Sequence, residues 1–276
     1  MEAEKSIKIL AIGNSFSDNA MAYLYPIFQA LGYGEIILGN LYIGGCSLAT
    51  HAYNAVNGLA VYTYRKNRSG KFVNCENTSI CAALLDEDWQ FVTMQQASGV
   101  SGVESTYNAD IETLKKYAFS FVDRSRCKLL WHMTWAYQQD SIHPEFVNYR
   151  SRQREMYQSI VNCVQNKIVV DSDFYGIIPS GTAIQNARTS YIGDSLTSDG
   201  YHLEELGEFI AGLTWAMVVT KCDLQLLDAT KLPQQFARFL DIATESVRNA
   251  TINPFGITQS IYTVDKDRLI NVMSKP

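Results

Sequence analysis

The sequence predicts an α/β protein in which helices cover a parallel sheet. Short apolar runs rich in β-branched residues alternate with longer segments of helical period, which is the pattern of such a sheet. The 276 residues suffice for one large domain with a buried core. Since 47% of them are hydrophobic and 18% are charged, the composition is typical of a globular protein of enzyme size.

Five apolar runs are predicted as the strands of one parallel sheet. They cover 6–12, 35–43, 89–95, 128–135 and 167–170. Because helical segments separate these runs, the strands and helices together make one three-layer α/β/α sandwich. The segment 57–79 is long and rich in turn residues, so we interpret it as a surface excursion or a short hairpin.

Helices are predicted where apolar residues recur with helical spacing. The first apolar face ends at Gly32, and Pro144 suits the first turn of a later helix that runs through "EFVNYRSRQREMYQSIVNCV". A last helix is predicted in "LPQQFARFLDIATESVRNA". The residues of the three clearest faces are Ala20, Leu24, Ile27 and Leu31, then Ile111, Leu114, Ala118 and Phe121, then Leu203, Leu206, Ile210, Leu213 and Met217.

The whole chain, 1–276, is predicted to form a single domain. Its core would cover about 6–220, and 221–276 would add a C-terminal helix and a tail. No internal repeat, low-complexity tract or linker divides the sequence.

Charge and hydropathy exclude two classes of partner. The net charge is −5 and the basic residues are scattered, so we expect no nucleic-acid binding. No apolar run approaches the ~18 residues that a membrane span needs, so we expect no membrane partner. The N-terminal "MEAEKSIKIL" has no room for an export signal, which predicts a cytoplasmic protein, or a periplasmic or secreted one if a signal was removed. The oligomeric state stays open.

The six cysteines show neither a CxxC motif nor any metal-ligand spacing. A chain of this length needs no disulfide staples, so we expect these thiols to be mostly reduced and buried. We predict neither a metal nor another cofactor.

Ser15 stands in "AIGNSFSDN", where a strand-like pattern changes abruptly to a helical one. In open α/β sheets, ligands gather at the carboxyl ends of the strands. A hydroxyl at this turn would lie beside backbone N–H groups that favour an anionic intermediate, which suits a nucleophile. The alternative is that the serine and asparagine residues of "NSFSDN" merely cap the helix.

A serine nucleophile needs a base, and His202 in "TSDGYHLEELGEF" is the best placed of the four histidines. Asp199 stands three residues before it, so one short loop could hold both side chains and fix the imidazole tautomer. Ser15, Asp199 and His202 then form a triad in the chain order Ser, Asp, His. The alternative is an ordinary helix entry. We interpret His51, His132 and His143 as structural or at best as substrate contacts.

The phrases "GNSFS" and "DGYH" resemble the first and last sequence blocks of the SGNH (GDSL-type) hydrolases. Asn14 stands where better-known members have aspartate. The phrases "LYIGGCSL", "HMTWAY" and "IPSGTAIQNARTS" are similar to a bacterial SGNH-like branch, and the resemblance covers about 6–220. It implies a flavodoxin-like three-layer fold and a serine esterase mechanism without a cofactor, in which Ser15 forms an acyl-enzyme.

The resemblance also implies an oxyanion hole with three donors. The backbone N–H groups of Ser15 and Gly45 would supply two, with Gly44 as the alternative glycine. The family's third block carries a G-x-N-D phrase, whereas this chain has "VTMQQASGVSG". We assign the third donor to the amide of Gln96, because a glutamine offers the same N–H group on a longer arm. If no glutamine reaches the oxyanion, the hole has two donors and turnover should be slow.

Other polar and aromatic residues near the strand ends are candidate substrate contacts. Trp135 and Tyr137 could present flat faces to a sugar ring, although aromatic residues at strand ends more often pack in the interior. Arg188 could equally pair with Glu or Asp on the surface. The substrate-binding candidates are Asn14, Gly44, Gln95, Ser98, Trp135, Tyr137, Gln185, Asn186 and Arg188.

The predicted function is hydrolysis of a small acyl ester, with an acetyl ester of a carbohydrate as the favoured substrate. The alternative is a carbohydrate-binding protein that has lost turnover, because the third-block asparagine is missing. A flavodoxin-like cofactor binder, which only the strand pattern favours, is set aside, because no G-x-G-x-x-G or G-x-x-x-x-G-K-[ST] motif follows a strand.

Overall fold

The first apolar run forms β1 (Ser6–Gly13), a central strand of the sheet, in the computed structural model, which describes residues 5–264. Within those residues seven strands form one sheet in the order β4-β3-β2-β1-β5-β6-β7. The other strands are β2 (Glu35–Tyr42), β3 (Tyr62–Asn67), β4 (Phe72–Thr78), β5 (Phe91–Met94), β6 (Lys128–His132) and β7 (Phe174–Ile178).

The sheet is parallel from β2 to β7 and antiparallel at β3 and β4. Helices pack on both faces, so the predicted three-layer α/β/α class is confirmed. The chain lays β2 on one side of β1 and later lays β5 on the other side. The carboxyl end of β1 is therefore the switch point at which α/β proteins usually place their ligand.

The predicted count of five strands is wrong because 57–79 contributes to the sheet. This segment contains a hairpin, one of the two readings left open, and its strand β3 pairs with β2, from Tyr42 opposite Thr63 to Leu38 opposite Asn67. The side chain of Asn67 holds the hairpin turn by accepting hydrogen bonds from the backbone N–H groups of Ser69 and Gly70. The side chains of β3 alternate in exposure and those of β4 are mostly exposed. Neither strand therefore shows the continuous apolar run from which the other strands were predicted.

The predicted strand at 167–170 is also wrong. Lys167 ends a helix, and the fifth parallel strand is β7, which begins seven residues later at Phe174. Val169 and Val170 are 53% and 75% exposed, so this β-branched run never enters the sheet. A short apolar run does not by itself distinguish a strand from a helix end.

Nine α-helices lie within residues 5–264. Helix α8 contacts α1, α2, α7 and α9. A separate group consists of α3, α4 and α5, which contact one another. Their bounds are α1 (Ser15–Met21), α2 (Leu24–Ala30), α3 (Leu48–Val56), α4 (Ile80–Leu84), α5 (Ala109–Phe119), α6 (Gln153–Lys167), α7 (Ser180–Ala187), α8 (Glu205–Thr220) and α9 (Leu240–Ile252).

The helix predicted to start at Pro144 is two elements. Pro144–Tyr149 is a 3₁₀ helix, and Arg150 and Ser151 then adopt left-handed backbone angles with φ of 55° and 52° before α6 begins. Such angles interrupt a right-handed helix, although the sequence there has no glycine or proline to signal the break. The first predicted face is likewise divided into α1 and α2, and the last helix begins as a 3₁₀ segment, Gln234–Phe239.

The C-terminal segment packs on the body of the fold, since α9 contacts α7 and α8. Within 5–264, none of the helices combines the length and apolarity needed to span a membrane. The prediction of a single domain over 1–276 stays a prediction, and residues 265–276 of its tail lie outside the described residues.

Candidate active site

Ser15 is the first residue of α1, and the residue that caps the helix is Asn14. Oδ1 of Asn14 accepts the N–H of Phe16 at 2.9 Å, and Oγ of Ser17 accepts the N–H of Asn14 at 3.1 Å. These two side chains complete the capping box. The cap therefore leaves the hydroxyl of Ser15 available for another contact.

The hydroxyl of Ser15 meets His202, which stands 187 positions later in the chain. Oγ of Ser15 lies 2.8 Å from Nε2 of His202, and Nδ1 of the same ring lies 2.7 Å from Oδ2 of Asp199. The second carboxylate oxygen, Oδ1, accepts the backbone N–H groups of Tyr201 and His202 at 3.1 and 2.8 Å. The three residues predicted as a triad thus form one hydrogen-bonded chain.

The turn that carries Asp199 and His202 is fixed to both neighbouring segments. The backbone of 197–203 folds back on itself, with the N–H of Ser198 bonded to the carbonyl of His202 at 2.9 Å. Gly200 allows this reversal because its φ is +89°, and a Cβ there would lie 3.0 Å from Ser141. On the other side, Asn19 of α1 accepts the N–H of Leu203 at 3.1 Å.

Asp199 is charged in this arrangement. Partial burial acts to raise the pKa of its carboxyl, but hydrogen bonds from the backbone and ring of His202 and from the backbone of Tyr201 outweigh it. The net effect is a pKa below the ordinary value of 3.8. A carboxylate beside Nδ1 holds the proton of the neutral imidazole on that nitrogen, which leaves Nε2 as an acceptor for the hydroxyl of Ser15.

Gly44 and Gly45 lie exposed in the loop between β2 and α3, beside the Ser15 turn. Nδ2 of Asn14 donates to the carbonyl of Cys46 at 3.1 Å, and this bond joins the loop to the turn. Gly45 has φ of +64°, which favours glycine at that position. Asn14 is 1% exposed, so it contacts this loop and the helix start and is not in a position to touch substrate.

The amide of Gln96 does not face the site, which corrects its assignment as an oxyanion donor. Its Nε2 donates to the carbonyl and the hydroxyl of Thr106 at 3.2 and 3.1 Å, which uses both of its hydrogens. Its Oε1 accepts the N–H groups of Leu48 and Ala97. Gln95 is equally buried, and its Nε2 donates to Oδ1 of Asn14 at 2.8 Å. Neither glutamine is a substrate contact.

Ser98 is half-buried, and its hydroxyl lies 2.8 Å from the hydroxyl of Tyr137. Tyr137 itself is fully buried, with its ring against Phe16, His143 and Tyr201. Tyr137 therefore supports other residues of the site instead of presenting a face to a sugar.

Trp135 is also fully buried, which corrects its assignment as a sugar platform. Its ring stacks on Phe16 with 4.3 Å between centroids and an interplanar angle of 13°. Its Nε1 donates to the carbonyl of Tyr201 at 2.8 Å. Trp135 thus contacts Phe16, which follows Ser15, and Tyr201, which precedes His202.

The polar residues of α7 and its end are structural, contrary to their prediction as substrate contacts. Gln185 bonds to Gln153 and Arg188, and Asn186 bonds to the backbone of Ser246 and Thr258. The side chain of Arg188 is 4% exposed, donates to the carbonyl of Ala136, and lies 2.8 Å from Asp194. Arg188 therefore has the acidic partner that the alternative expected, but the arginine side of the pair is buried and not on the surface.

Two further rings lie at the site: Tyr201, which the sequence analysis did not name, and His143, which it interpreted as structural or at best a substrate contact. The ring of Tyr201 packs against His202 at 4.3 Å and against His143 at 4.6 Å. Both rings are half-buried. Tyr201 could have been found from its place in "DGYH", whereas His143 reaches the site only because the loop after β6 folds over the Asp199 turn, with the N–H of Gln138 bonded to the carbonyl of Gly200.

No three His, Cys, Asp or Glu side chains are grouped to hold a metal ion within the part of the chain that the structure describes. The cysteines in that part are free thiols. Cys46 is the one nearest to the Ser15 turn, and burial raises the pKa of its thiol to about 12, so it is a neutral group at physiological pH.

Comparison with known proteins gives a family model and similar solved structures. The family model described as "Domain of unknown function (DUF4886)" matches residues 8–243. A crystal structure of a DUF4886 family protein from Bacteroides uniformis ATCC 8492 is 38% identical, with a TM-score of 0.88 over 92% of this chain and 98% of that chain. A structure from Slackia heliotrinireducens, provisionally assigned as an SGNH hydrolase, is 18% identical, with a TM-score of 0.47 over 78% of this chain and 100% of that chain. No curated protein sequence matches this chain.

Proposed function

The chain belongs to the DUF4886 family, and we propose that it is a serine hydrolase of the SGNH type that cleaves a small acyl ester. The observation that carries the proposal is the chain of two hydrogen bonds from Ser15 through His202 to Asp199. A serine hydroxyl bonded to an imidazole that a carboxylate orients is the arrangement that makes an alcohol nucleophilic near neutral pH.

The proposed reaction has two steps. Oγ of Ser15 attacks the ester carbonyl while Nε2 of His202 takes its proton, and the same nitrogen then gives the proton to the leaving alcohol. Water next attacks the acyl-enzyme and loses a proton to His202, which gives that proton to Oγ of Ser15 as the acid leaves. Asp199 keeps its charge throughout and stabilises the imidazolium that forms in each step.

The backbone N–H groups of Ser15 and Gly45 are the proposed donors to the oxyanion. They lie in adjacent segments that the amide of Asn14 joins through the carbonyl of Cys46. Ser98 is the half-buried polar side chain of the third-block phrase, whereas the others, Thr93, Gln95, Gln96 and Ser101, are each 2% exposed. We assign the third contact to its hydroxyl, which the hydroxyl of Tyr137 orients.

An acetyl ester of a carbohydrate is the proposed substrate class. The side chains of His202 and Asp199 are 31% and 41% exposed, so the triad lies at an open edge that a bulky alcohol can approach. The half-buried rings of Tyr201 and His143 line that edge and could contact a sugar. These rings take the role that Trp135 and Tyr137 were expected to have.

The test combines covalent labelling with turnover. Wild-type protein should take up one fluorophosphonate label and hydrolyse p-nitrophenyl acetate, whereas Ser15→Ala should do neither. Ser79→Ala is a matched control, because Ser79 caps the distant helix α4 and is half-buried like Ser15. Unchanged hydrolysis in Ser15→Ala would refute the proposal. Release of acetate from a panel of acetylated plant and bacterial glycans would then identify the alcohol.

A carbohydrate-binding protein without turnover is the second candidate. It is favoured by the absence of a side-chain amide at the third-block position, where Gln96 is bonded to Thr106. Calorimetry with acetylated glycans would support this candidate if it detected binding to wild-type protein while no acetate was released and no label was taken up at Ser15.

A further inference from the structure

We propose that Gln95 and His132 are positioning residues that hold the Ser15 turn and the Gly45 loop in register through Asn14. The inference rests on the proposed function, because it concerns the geometry of the same site. Neither residue touches the triad directly, and each would act through Asn14.

Four hydrogen bonds form one continuous chain across the site. Nδ1 of His132 lies 2.9 Å from Oε1 of Gln95, and Nε2 of Gln95 donates to Oδ1 of Asn14 at 2.8 Å. The same Oδ1 accepts the N–H of Phe16 at 2.9 Å, and Nδ2 of Asn14 donates to the carbonyl of Cys46 at 3.1 Å. The chain thus ends on the residue after Ser15 and on the residue after Gly45.

The direction of every bond in this chain is fixed. Oδ1 of Asn14 is an acceptor of the Phe16 N–H, so Gln95 must present its NH₂ group to it and its oxygen to His132. His132 must therefore carry its proton on Nδ1. The carbonyl of Cys46 accepts only, which requires the NH₂ group of Asn14 on that side. One assignment of donors and acceptors satisfies all four hydrogen bonds.

The side chains of this series of hydrogen bonds are buried away from solvent. Asn14, Gln95 and His132 are each exposed by 1 or 2%. Burial lowers the pKa of His132 to about 3, so its ring is neutral and has a single N–H, which it gives to Gln95. Removing any member leaves a buried polar group without a partner, which is unfavourable and favours a shift of the backbone.

The series of hydrogen bonds crosses four adjacent strands at their carboxyl ends. Cys46 follows β2, Asn14 follows β1, Gln95 follows β5, and His132 ends β6. The two backbone N–H groups proposed for the oxyanion are attached directly to segments that this chain joins. A displacement of about 1 Å between such groups lowers a rate roughly 10²-fold. The relative position of the two donors therefore depends on Gln95 and His132.

The test is the rate per titrated serine, measured after active-site titration with a fluorophosphonate. We expect Gln95→Leu and His132→Leu to lower kcat per labelled site about 10- to 100-fold with little change in KM. His132→Asn should retain most of the rate, because its amide N–H can replace Nδ1–H. Gln95→Glu can donate to Asn14 only when protonated, so its rate relative to wild type should rise as the pH is lowered.

Asn67→Ala is the matched control. Asn67 is a buried amide, 2% exposed, that holds the hairpin turn at the opposite edge of the sheet. It should lower the melting temperature without lowering kcat per labelled site. The inference would be overturned if both leucine variants kept the wild-type kcat per labelled site, or if only one of them folded and that one kept it. The proposed function would then remain intact. If neither leucine variant folds, the test is the ratio of kcat per labelled site in Gln95→Glu to that in wild type. A ratio that does not change with pH would overturn the inference. A wild-type protein that takes no label would overturn both.

Discussion

One carboxylate, that of Asp199, both builds the turn before His202 and orients the ring of His202. Its Oδ1 accepts the backbone N–H of His202 at 2.8 Å, while its Oδ2 lies 2.7 Å from Nδ1 of the same residue. The two oxygens therefore have separable roles. Oδ1 fixes the backbone of His202, from which the imidazole extends, and Oδ2 fixes the tautomer of the ring.

Asp199→Asn should separate these roles. The amide oxygen can keep the two backbone hydrogen bonds, but the NH₂ group that replaces Oδ2 cannot accept a hydrogen bond from Nδ1–H. We expect kcat to fall about 10²- to 10⁴-fold with a nearly unchanged melting temperature. Steady-state kinetics with p-nitrophenyl acetate and a thermal melt measure the two effects. A large loss of stability at full activity would contradict a catalytic role for Asp199.

The meeting of Ser15 with His202 could be predicted from the sequence in two steps. Ser15 closely follows the first predicted strand, and the carboxyl ends of parallel strands are where ligands gather. His202 does not follow a strand, because α7 lies between β7 and His202, and its place was predicted from the D-x-x-H spacing and from the resemblance of "DGYH". The D-x-x-H spacing needed only a short turn. These relations depend on order along the chain and little on how individual side chains pack.

The substrate contacts could not be predicted, because exposure is decided by tertiary packing. Nothing near Trp135 in the sequence indicates that Phe16 covers one face of its ring. Gln96 stands in the predicted place, yet its amide turns to Thr106, ten residues later at the end of a short 3₁₀ helix that was not predicted. The hairpin and the break at Arg150 also depend on pairing and backbone angles that hydrophobic periodicity does not encode.

Trp135→Ala should reduce stability before it affects substrate binding. The ring is fully buried on Phe16, and its N–H is bonded to the carbonyl of Tyr201. We expect the free energy of unfolding to fall by about 3–5 kcal/mol, as for other large-to-small changes in a core. Urea denaturation measures it, with Trp135→Phe as a milder control that keeps a ring against Phe16. A higher KM for an acetylated glycan at unchanged stability would favour a sugar platform after all.

Asp194→Ala should destabilise the protein strongly, because it leaves the guanidinium of Arg188 buried without its counter-ion. Burial lowers the pKa of Arg188 to about 10, partly opposed by Asp194, so the group stays charged at pH 7. Asp194 also accepts the N–H of Gln139 and the amide of Gln153, each at 2.8 Å. We expect a loss of about 3–5 kcal/mol. Adding Arg188→Met should restore part of it, which a double-mutant cycle from urea denaturation would measure.

Two buried histidines should make the protein less stable in mild acid. Burial lowers the pKa of His51 and of His132 to about 3 from an ordinary value of 6.5. Below pH 6.5 the unfolded chain binds protons that the folded chain does not bind until about pH 3, so the free energy of unfolding falls as the pH drops through that window. Between pH 7 and pH 5 each histidine should contribute a loss of about 2 kcal/mol.

Replacing either ring should remove its share of this pH dependence, whatever the replacement does to stability at pH 7. His51→Asn keeps an acceptor near the hydroxyl of Tyr62, which lies 2.9 Å from Nδ1 of His51, and it cannot take up a proton. Urea denaturation at pH 7 and pH 5 should therefore show a difference about 2 kcal/mol smaller in this variant than in wild type. An equal difference in the two proteins would mean that His51 titrates alike in the folded and unfolded chains. Its burial beside Tyr62 and Cys46 would then not exclude the proton.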